Sequence, residues 1–290
     1  MSALARLHRP ATVEEAVRLL AGGDGERTRL LAGGATLVAM LNAGLVDPAE
    51  LVSLAAVDEL RGIGTLPDGG LRIGAMTRHR ETAADVRLAG TLAVLREAAA
   101  RIANPVVRNM GTIGGSISFA DPAADYPPAL VAADAAVEIA GPQGRRRVPA
   151  REFFVDWYAT ALGPNEMVTA ILLAPRAPGL GSYDKLYRVA GDYAIVSVAL
   201  SVAWRDGACA RAGLAVGGCG PRPLHLDEAD ELLRAGRLGA QAARRAGELL
   251  AAAADPLDDV RASAAYRRRV IPRMVERALA AARDELSRTA

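Results

Sequence analysis

Apolar positions along the chain follow two periods. Val13, Ala16, Val17 and Leu20 share one face at helical spacing, and Thr12-Val-Glu-Glu15 ahead of them is a capping box. Gly22-Gly23 ends that helix. Positions 28–32 predict a short buried strand that runs into Gly33-Gly34, and 35–41 predict a helical turn. Strand-length runs follow at 51–54 and 71–73, with Pro67-Asp-Gly-Gly70 as the hairpin turn between Ile63 and Leu71. Positions 82–101 read as one amphipathic helix, and Asp121-Pro-Ala-Ala-Asp-Tyr-Pro-Pro128 opens another. Alternation over 136–139, the turn Gly141-Pro-Gln-Gly144 and Arg147-Val148 predict a second hairpin, and 166–174 a strand. Pro175-Arg-Ala-Pro-Gly-Leu-Gly181 reads as a linker. Beyond it, 183–189, 194–204 and 211–216 predict an antiparallel sheet of about three strands. From Leu226 onward the pattern is helical in three segments, with Pro272 expected to kink or interrupt the last.

Composition narrows the function classes. The 290 residues are 51% hydrophobic and 23% charged, with a net charge of +2, so neither wholesale disorder nor a nucleic-acid or membrane surface is indicated. Aromatics are 4% of the chain, which leaves few platforms for stacked bases. Cys209 and Cys219 cannot build an iron–sulfur cluster or a four-cysteine zinc site, and His8, His79 and His225 are scattered, so no metal site is expected. The first nine residues lack the apolar core of a leader and no run approaches a membrane span; the expectation is a cytoplasmic protein. Lys185 is the only lysine among 35 cations.

Two glycine turns are the candidate chemistry. Leu30-Leu-Ala-Gly-Gly-Ala-Thr36 and Gly111-Thr-Ile-Gly-Gly-Ser116 each adjoin apolar residues. A turn of this kind either serves sheet geometry alone or aims a row of backbone amides at an anion. Thr36, Thr112 and Ser116 add hydroxyls, and neither turn follows the Rossmann or P-loop spacing. Other clusters have plainer readings. Arg145-Arg-Arg147 and Arg267-Arg-Arg269 suit solvated faces or partner contacts, Trp157-Tyr158 suits packing rather than a pocket, and the cysteines suit inert small residues.

The glycine turns, Ile102-Ala-Asn-Pro-Val-Val-Arg-Asn-Met-Gly-Thr-Ile-Gly-Gly-Ser-Ile117, Ala120-Asp-Pro-Ala-Ala-Asp-Tyr-Pro127, Gly191-Asp-Tyr-Ala-Ile-Val196 and Ser263-Ala-Ala-Tyr-Arg267 occur in one order along nearly the whole chain. In this the chain resembles the FAD-binding medium subunit of molybdenum hydroxylases, of the carbon monoxide dehydrogenase medium-chain and xanthine dehydrogenase FAD-subunit type. The resemblance implies an α+β fold: a vanillyl-alcohol-oxidase-type (PCMH-type) FAD-binding domain over 1–175, in subdomains of about 1–57 and 58–175. A small α+β domain with a three-stranded antiparallel sheet and helices would then cover 180–290. It implies FAD as cofactor, with the pyrophosphate on Ala32, Gly33, Gly34, Ala35, Thr36 and Leu37 and on Thr112, Gly114, Gly115 and Ser116. Asp125 matches a carboxylate that binds a ribose hydroxyl, although its position before Tyr126 equally suits a helix cap. Ile102 falls where xanthine dehydrogenases carry an aromatic, and Val168 near a cofactor-touching strand position. Tyr193 aligns with a ring beside the isoalloxazine and Lys185 with a basic position facing the cofactor; a strand pair in an ordinary sheet is the alternative for both. The family often has Gln or His, then Ser, where this chain has Ala35-Thr36, so binding there would lean on backbone amides.

The resemblance also implies partners: a molybdenum-cofactor large subunit and a [2Fe-2S] small subunit, as a dimer of heterotrimers. The chain would relay electrons from the clusters through FAD to an external acceptor, and no acid–base catalytic residue is named. A free-standing flavin-dependent oxidoreductase of the same fold and a non-catalytic nucleotide-binding scaffold are the other readings. The lone lysine is expected to face the flavin or its phosphates, where a guanidinium fork would not fit.

Overall fold

A computed structural model describes residues 6–23, 25–205, 208–235 and 238–289. Residues 1–5, part of the stretch read for a leader, lie outside the described residues. Three main sheets follow in chain order, with a two-stranded ribbon of residues 154–160 besides. The first is parallel: β1 (Arg6–His8), α1 (Val13–Gly22), β2 (Thr28–Leu31), α2 (Leu37–Asn42) and β3 (Glu50–Ser53), with strand order β1–β3–β2. Thr12 caps α1 as expected, accepting from the Glu15 amide at 3.1 Å, while Glu15 reaches back one residue further, to the Ala11 amide at 2.8 Å.

The second unit runs through β4 (Ile63–Thr65), β5 (Leu71–Gly74), α3 (His79–Ala84), α4 (Ala93–Arg101), α5 (Pro105–Met110), α6 (Ile113–Phe119) and α7 (Tyr126–Ala132). It closes with β6 (Ala136–Gly141), β7 (Gly144–Pro149), α8 (Ala150–Phe153), β8 (Phe154–Asp156), β9 (Ala159–Thr160) and β10 (Met167–Leu173). Its five-stranded sheet has the order β4–β5–β10–β6–β7, antiparallel throughout. Strand β10 is central and buried at every position, apolar apart from Thr169, whose hydroxyl donates to the Glu138 carboxylate at 2.8 Å. The single helix expected over 82–101 is two helices. Asp85 ends α3, and the chain passes through Gly90 at φ +57° before α4 begins.

The third unit contains β11 (Gly179–Leu186), β12 (Val196–Arg205), β13 (Ala208–Gly217), β14 (Leu224–His225), α9 (Asp227–Ala235), α10 (Ala240–Ala253) and α11 (Ala264–Thr289). Its antiparallel sheet has the order β11–β12–β13–β14, with a two-residue fourth strand beyond the three expected. Strand β11 begins inside the stretch read as a linker. Pro272 does not interrupt α11: the helix runs through it, with Gly247 of α10 packed against the proline.

This last sheet is covered on both faces, and its residues sort accordingly. Val198, Leu200, Val202, Leu214 and Val216 pack on α9–α11. Tyr183, Ala199 and Ala215 belong instead to the core of the first 173 residues. Small residues on that face let backbones approach; a Cβ at Gly181 would meet the Val94 amide of α4. Because strand side chains alternate, Gly181, Tyr183 and Lys185 point the same way, toward α4 and α7. Arg267 is no solvated face either. It is 3% exposed, and its guanidinium donates to the carbonyls of Ile195 and Gly218 and pairs with Asp259. Arg145 pairs with Glu14, Glu59 and Glu138, and Arg146 with Glu166.

Candidate cofactor site

A cavity of about 950 Å³ lies where the three units meet. Its wall includes both glycine turns, and the turns touch. A Cβ at Gly33 would overlap the Met110 carbonyl, and one at Gly115 would lie 3.4 Å from the Ala32 Cβ. Gly33 therefore admits no side chain, and Gly34, at φ +76°, takes a conformation that glycine alone adopts freely.

The first turn keeps its donors open. Among the described residues no backbone acceptor takes the amides of Ala32, Gly33, Gly34, Ala35, Thr36 or Leu37. Thr36 caps α2 without a side-chain bond. The second turn is closed. The Ile113 amide donates to Thr77 O at 3.0 Å, Gly114 to Ala75 O at 2.9 Å, Gly115 to Thr112 Oγ1 at 3.2 Å and Ser116 to Thr112 O at 3.0 Å. The expectation of a second nest of free amides fails there, because the loop after β5 supplies carbonyls to the start of α6.

Asp125 stands at the head of α7, lines the cavity and is 6% exposed. It holds the N-cap position of α7, but its side chain takes no amide of that helix. The carboxylate instead accepts the Tyr183 hydroxyl at 2.7 Å on Oδ1 and the Lys185 ammonium at 2.9 Å on Oδ1 and 3.2 Å on Oδ2. Burial pushes the Asp125 carboxyl up from its ordinary range, while Lys185 and Tyr183 pull it down, and the net direction is up. Burial pushes the Tyr183 phenol far up. Lys185 is thus placed differently from the expectation. It does not line the cavity but sits behind Asp125, with its third contact on the Arg101 carbonyl at 2.9 Å. A compact ammonium satisfies three oxygens converging on one point, which a planar fork cannot.

Ile102, Val168 and Tyr193 are on the wall, as are Ala32 to Leu37, Thr112, Gly114, Gly115 and Ser116. Tyr193 is 43% exposed at the edge, under the Arg261 guanidinium at 5.2 Å, and burial of its hydroxyl pushes the phenol up to about 12.

Tyr158 and His79 are among the wall residues that escaped the sequence reading. Tyr158, read as packing, lines the cavity at φ +53° with its ring edge on Phe119 at 5.2 Å. His79 is buried against Gly111, donates its backbone amide to Gly111 O at 3.0 Å, and shares a hydrogen bond between Nδ1 and the Tyr126 hydroxyl at 3.3 Å. Burial, then the Arg108 charge, lowers its imidazole to about 4, so it is neutral at pH 7. A scattered histidine carries no signal that would have placed it here.

Open amides on one side, a buried carboxylate on another and apolar walls between them suit a long cofactor that is anionic in one part and flat and apolar in another. The class defined is a multi-unit α+β protein built around one such cofactor. Comparison with known proteins makes it specific. Residues 3–176 match the model of the FAD binding domain in molybdopterin dehydrogenase, and 181–282 match the CO dehydrogenase flavoprotein C-terminal domain. The 6-hydroxypseudooxynicotine dehydrogenase complex subunit alpha of Paenarthrobacter nicotinovorans is 38% identical over 93% of this chain and 92% of its own. The carbon monoxide dehydrogenase medium chain of Afipia carboxidovorans is 36% identical over 96% and 97%. A solved carbon monoxide dehydrogenase chain from Hydrogenophaga pseudoflava superposes with a TM-score of 0.92 at 35% identity, covering 97% of this chain and 98% of that one. The chain belongs to the family of FAD-binding medium subunits of molybdenum hydroxylases: it is an oxidoreductase subunit, and its cofactor is FAD. Relatives in this family are subunits of multi-subunit complexes. No helix among the described residues is long and apolar enough to cross a membrane.

Proposed function

We propose that this chain relays electrons from iron–sulfur clusters on a partner subunit through FAD to an external acceptor. The partners are a molybdenum-cofactor large subunit and a [2Fe-2S] small subunit, assembled as a dimer of heterotrimers. The observation that carries the reading is the open turn 32–37 beside the buried Asp125 in one cavity. FAD, when bound, exchanges electrons singly or in pairs, which lets a one-electron donor serve a two-electron acceptor.

The chain's own residues bind and orient. Amides of Ala32, Gly33, Gly34, Ala35, Thr36 and Leu37 hold the pyrophosphate, with the Thr36 hydroxyl as a further donor. At the second turn Thr112, Gly114, Gly115 and Ser116 offer a side-chain-free surface and two hydroxyls rather than free amides. An ionised carboxylate has about four acceptor sites. Three on Asp125 are taken, which leaves capacity for one hydroxyl of the cofactor's sugar. Lys185 and Tyr183 fix that carboxylate, and the Lys185 charge opposes the upward push of burial on it. Ile102 and Val168 supply apolar wall, and Tyr193 covers the isoalloxazine and keeps water from it. No side chain is assigned to proton transfer, so substrate oxidation falls to the large subunit. Relatives named for 6-hydroxypseudooxynicotine and for carbon monoxide support a small-molecule substrate handled by that partner.

The test is FAD titration of the purified chain with Asp125→Asn alongside. Wild type is expected to hold a flavin that dithionite bleaches. Asp125→Asn is expected to weaken FAD binding at least tenfold and to cost about 4 kcal/mol of stability, because it strands a buried ammonium. Asp125→Asn combined with Lys185→Met is expected to regain stability but not affinity. A wild-type chain that takes up no FAD, alone or with both partners co-expressed, overturns the reading.

A further inference from the structure

Helix α4 ends at the cavity wall, and a helix end leaves carbonyls without partners. Here three consecutive carbonyls are taken by cations from other elements. Lys185 Nζ of β11 donates to Arg101 O at 2.9 Å. Arg108 Nη1 of α5 donates to Ile102 O at 2.7 Å and to Ala103 O at 2.9 Å. Ala103 between the helices is left-handed, at φ +39°, which is unfavourable for any residue with a Cβ. The chain then turns at once into α5, whose cap Asn104 accepts the Val107 amide at 3.0 Å. Arg108, one turn into that helix, reaches back across the strained residue.

The other side of this turn carries the segment that presents Tyr193. Gly191, at φ +86°, lies so close to Ala103 that an added Cβ would be 2.8 Å from its carbonyl oxygen. Gly191, two residues before Tyr193, therefore rests on the Ala103 carbonyl, and Ile102, Ala103, Gly191 and Tyr193 all line the cavity. Within the segment, the Asp192 amide donates to Val189 O and the Tyr193 amide to Asp192 Oδ1, both at 2.9 Å.

We propose that Arg108 is a positioning residue for cofactor binding. By holding the Ile102 and Ala103 carbonyls it sets the ledge on which Gly191 rests, and so fixes where Tyr193 stands over the cavity. Arg108 touches no cofactor atom; it acts through Ala103 and Gly191. Its effect on FAD rests on the reading above, whereas its effect on the ledge does not.

The test uses the full chain with Arg108→Met, and Arg108→Met combined with Ala103→Gly. Glycine adopts the left-handed turn without strain, so the second change restores the turn without the guanidinium. In the FAD-free chain, amide hydrogen exchange over residues 189–194 is expected to rise about tenfold in Arg108→Met and to return most of the way in the double variant. In the FAD-loaded chain, Arg108→Met is expected to bind FAD about tenfold more weakly and to fluoresce more strongly, as Tyr193 leaves the ring; the double variant recovers both. Unchanged exchange over 189–194 in Arg108→Met overturns the proposal, as does failure of Ala103→Gly to rescue it. If exchange rises in Arg108→Met and returns in the double variant while wild type takes up no FAD, the positioning role stands and the cofactor reading falls.

Discussion

The first glycine turn leaves the amides of residues 32–37 without a backbone acceptor among the described residues, whereas the second gives its amides to Thr77, Ala75 and Thr112. Both are Gly-Gly pairs flanked by apolar residues and a threonine. Their surroundings make the difference. The first follows β2, an edge strand, and leads into α2, which has no buried residue. The second is wedged between the loop after β5 and His79 of α3, where carbonyls already wait. A glycine pair therefore reports that backbone must come close to something, and the neighbouring elements decide whether that is a ligand or the protein itself.

The largest expected effect separates the turns by size. Gly33→Ala drives a Cβ into the Met110 carbonyl and is expected to cost about 3 kcal/mol and abolish FAD uptake. Gly115→Ala meets only the Thr112 hydroxyl at 3.1 Å and the Ala32 Cβ at 3.4 Å, and is expected to cost under about 1 kcal/mol. Thermal unfolding with FAD titration checks both, and equal costs would break the comparison.

Acid strikes the second turn through His79. Burial, then the Arg108 charge, holds its imidazole at about 4, below its ordinary value of about 6.5, so the folded state binds fewer protons. Stability is full above the unfolded value and falls as pH drops toward the folded one, by up to about 1.4 kcal/mol per pH unit. His79→Gln is expected to flatten that slope in urea unfolding between pH 7 and 4.

The smallest effects concern the threonines. Thr112→Val removes an acceptor for the Gly115 amide and is expected to cost about 1 kcal/mol of stability. Thr36 makes no cap bond, so Thr36→Val is expected to leave stability within about 0.5 kcal/mol while weakening FAD a few-fold. Denaturation midpoints beside FAD dissociation constants distinguish the two.

Much of the fold was legible because period and punctuation are local properties. The capped first helix, both hairpins, the buried central strand and the three closing helices follow from spacing and turn residues. The break between α3 and α4 was not. Its residues keep a helical apolar rhythm, and only packing against other elements stops the helix at Asp85. The wall residues carried by motifs were found; Tyr158 and His79 were missed because nothing local marks them as facing a cavity.

Lys185 shows the division most clearly. The sequence alone establishes that one cation is not arginine, and strand alternation puts it on the same face as Gly181 and Tyr183. Only the tertiary structure decides which residues that face meets. The third sheet packs on α4 and α7, and the ammonium therefore stands between the Asp125 carboxylate and the Arg101 carbonyl, behind the cavity wall. Which side chain stands on a face is a property of the chain; which charge waits opposite depends on partners 60 and 84 residues away along it.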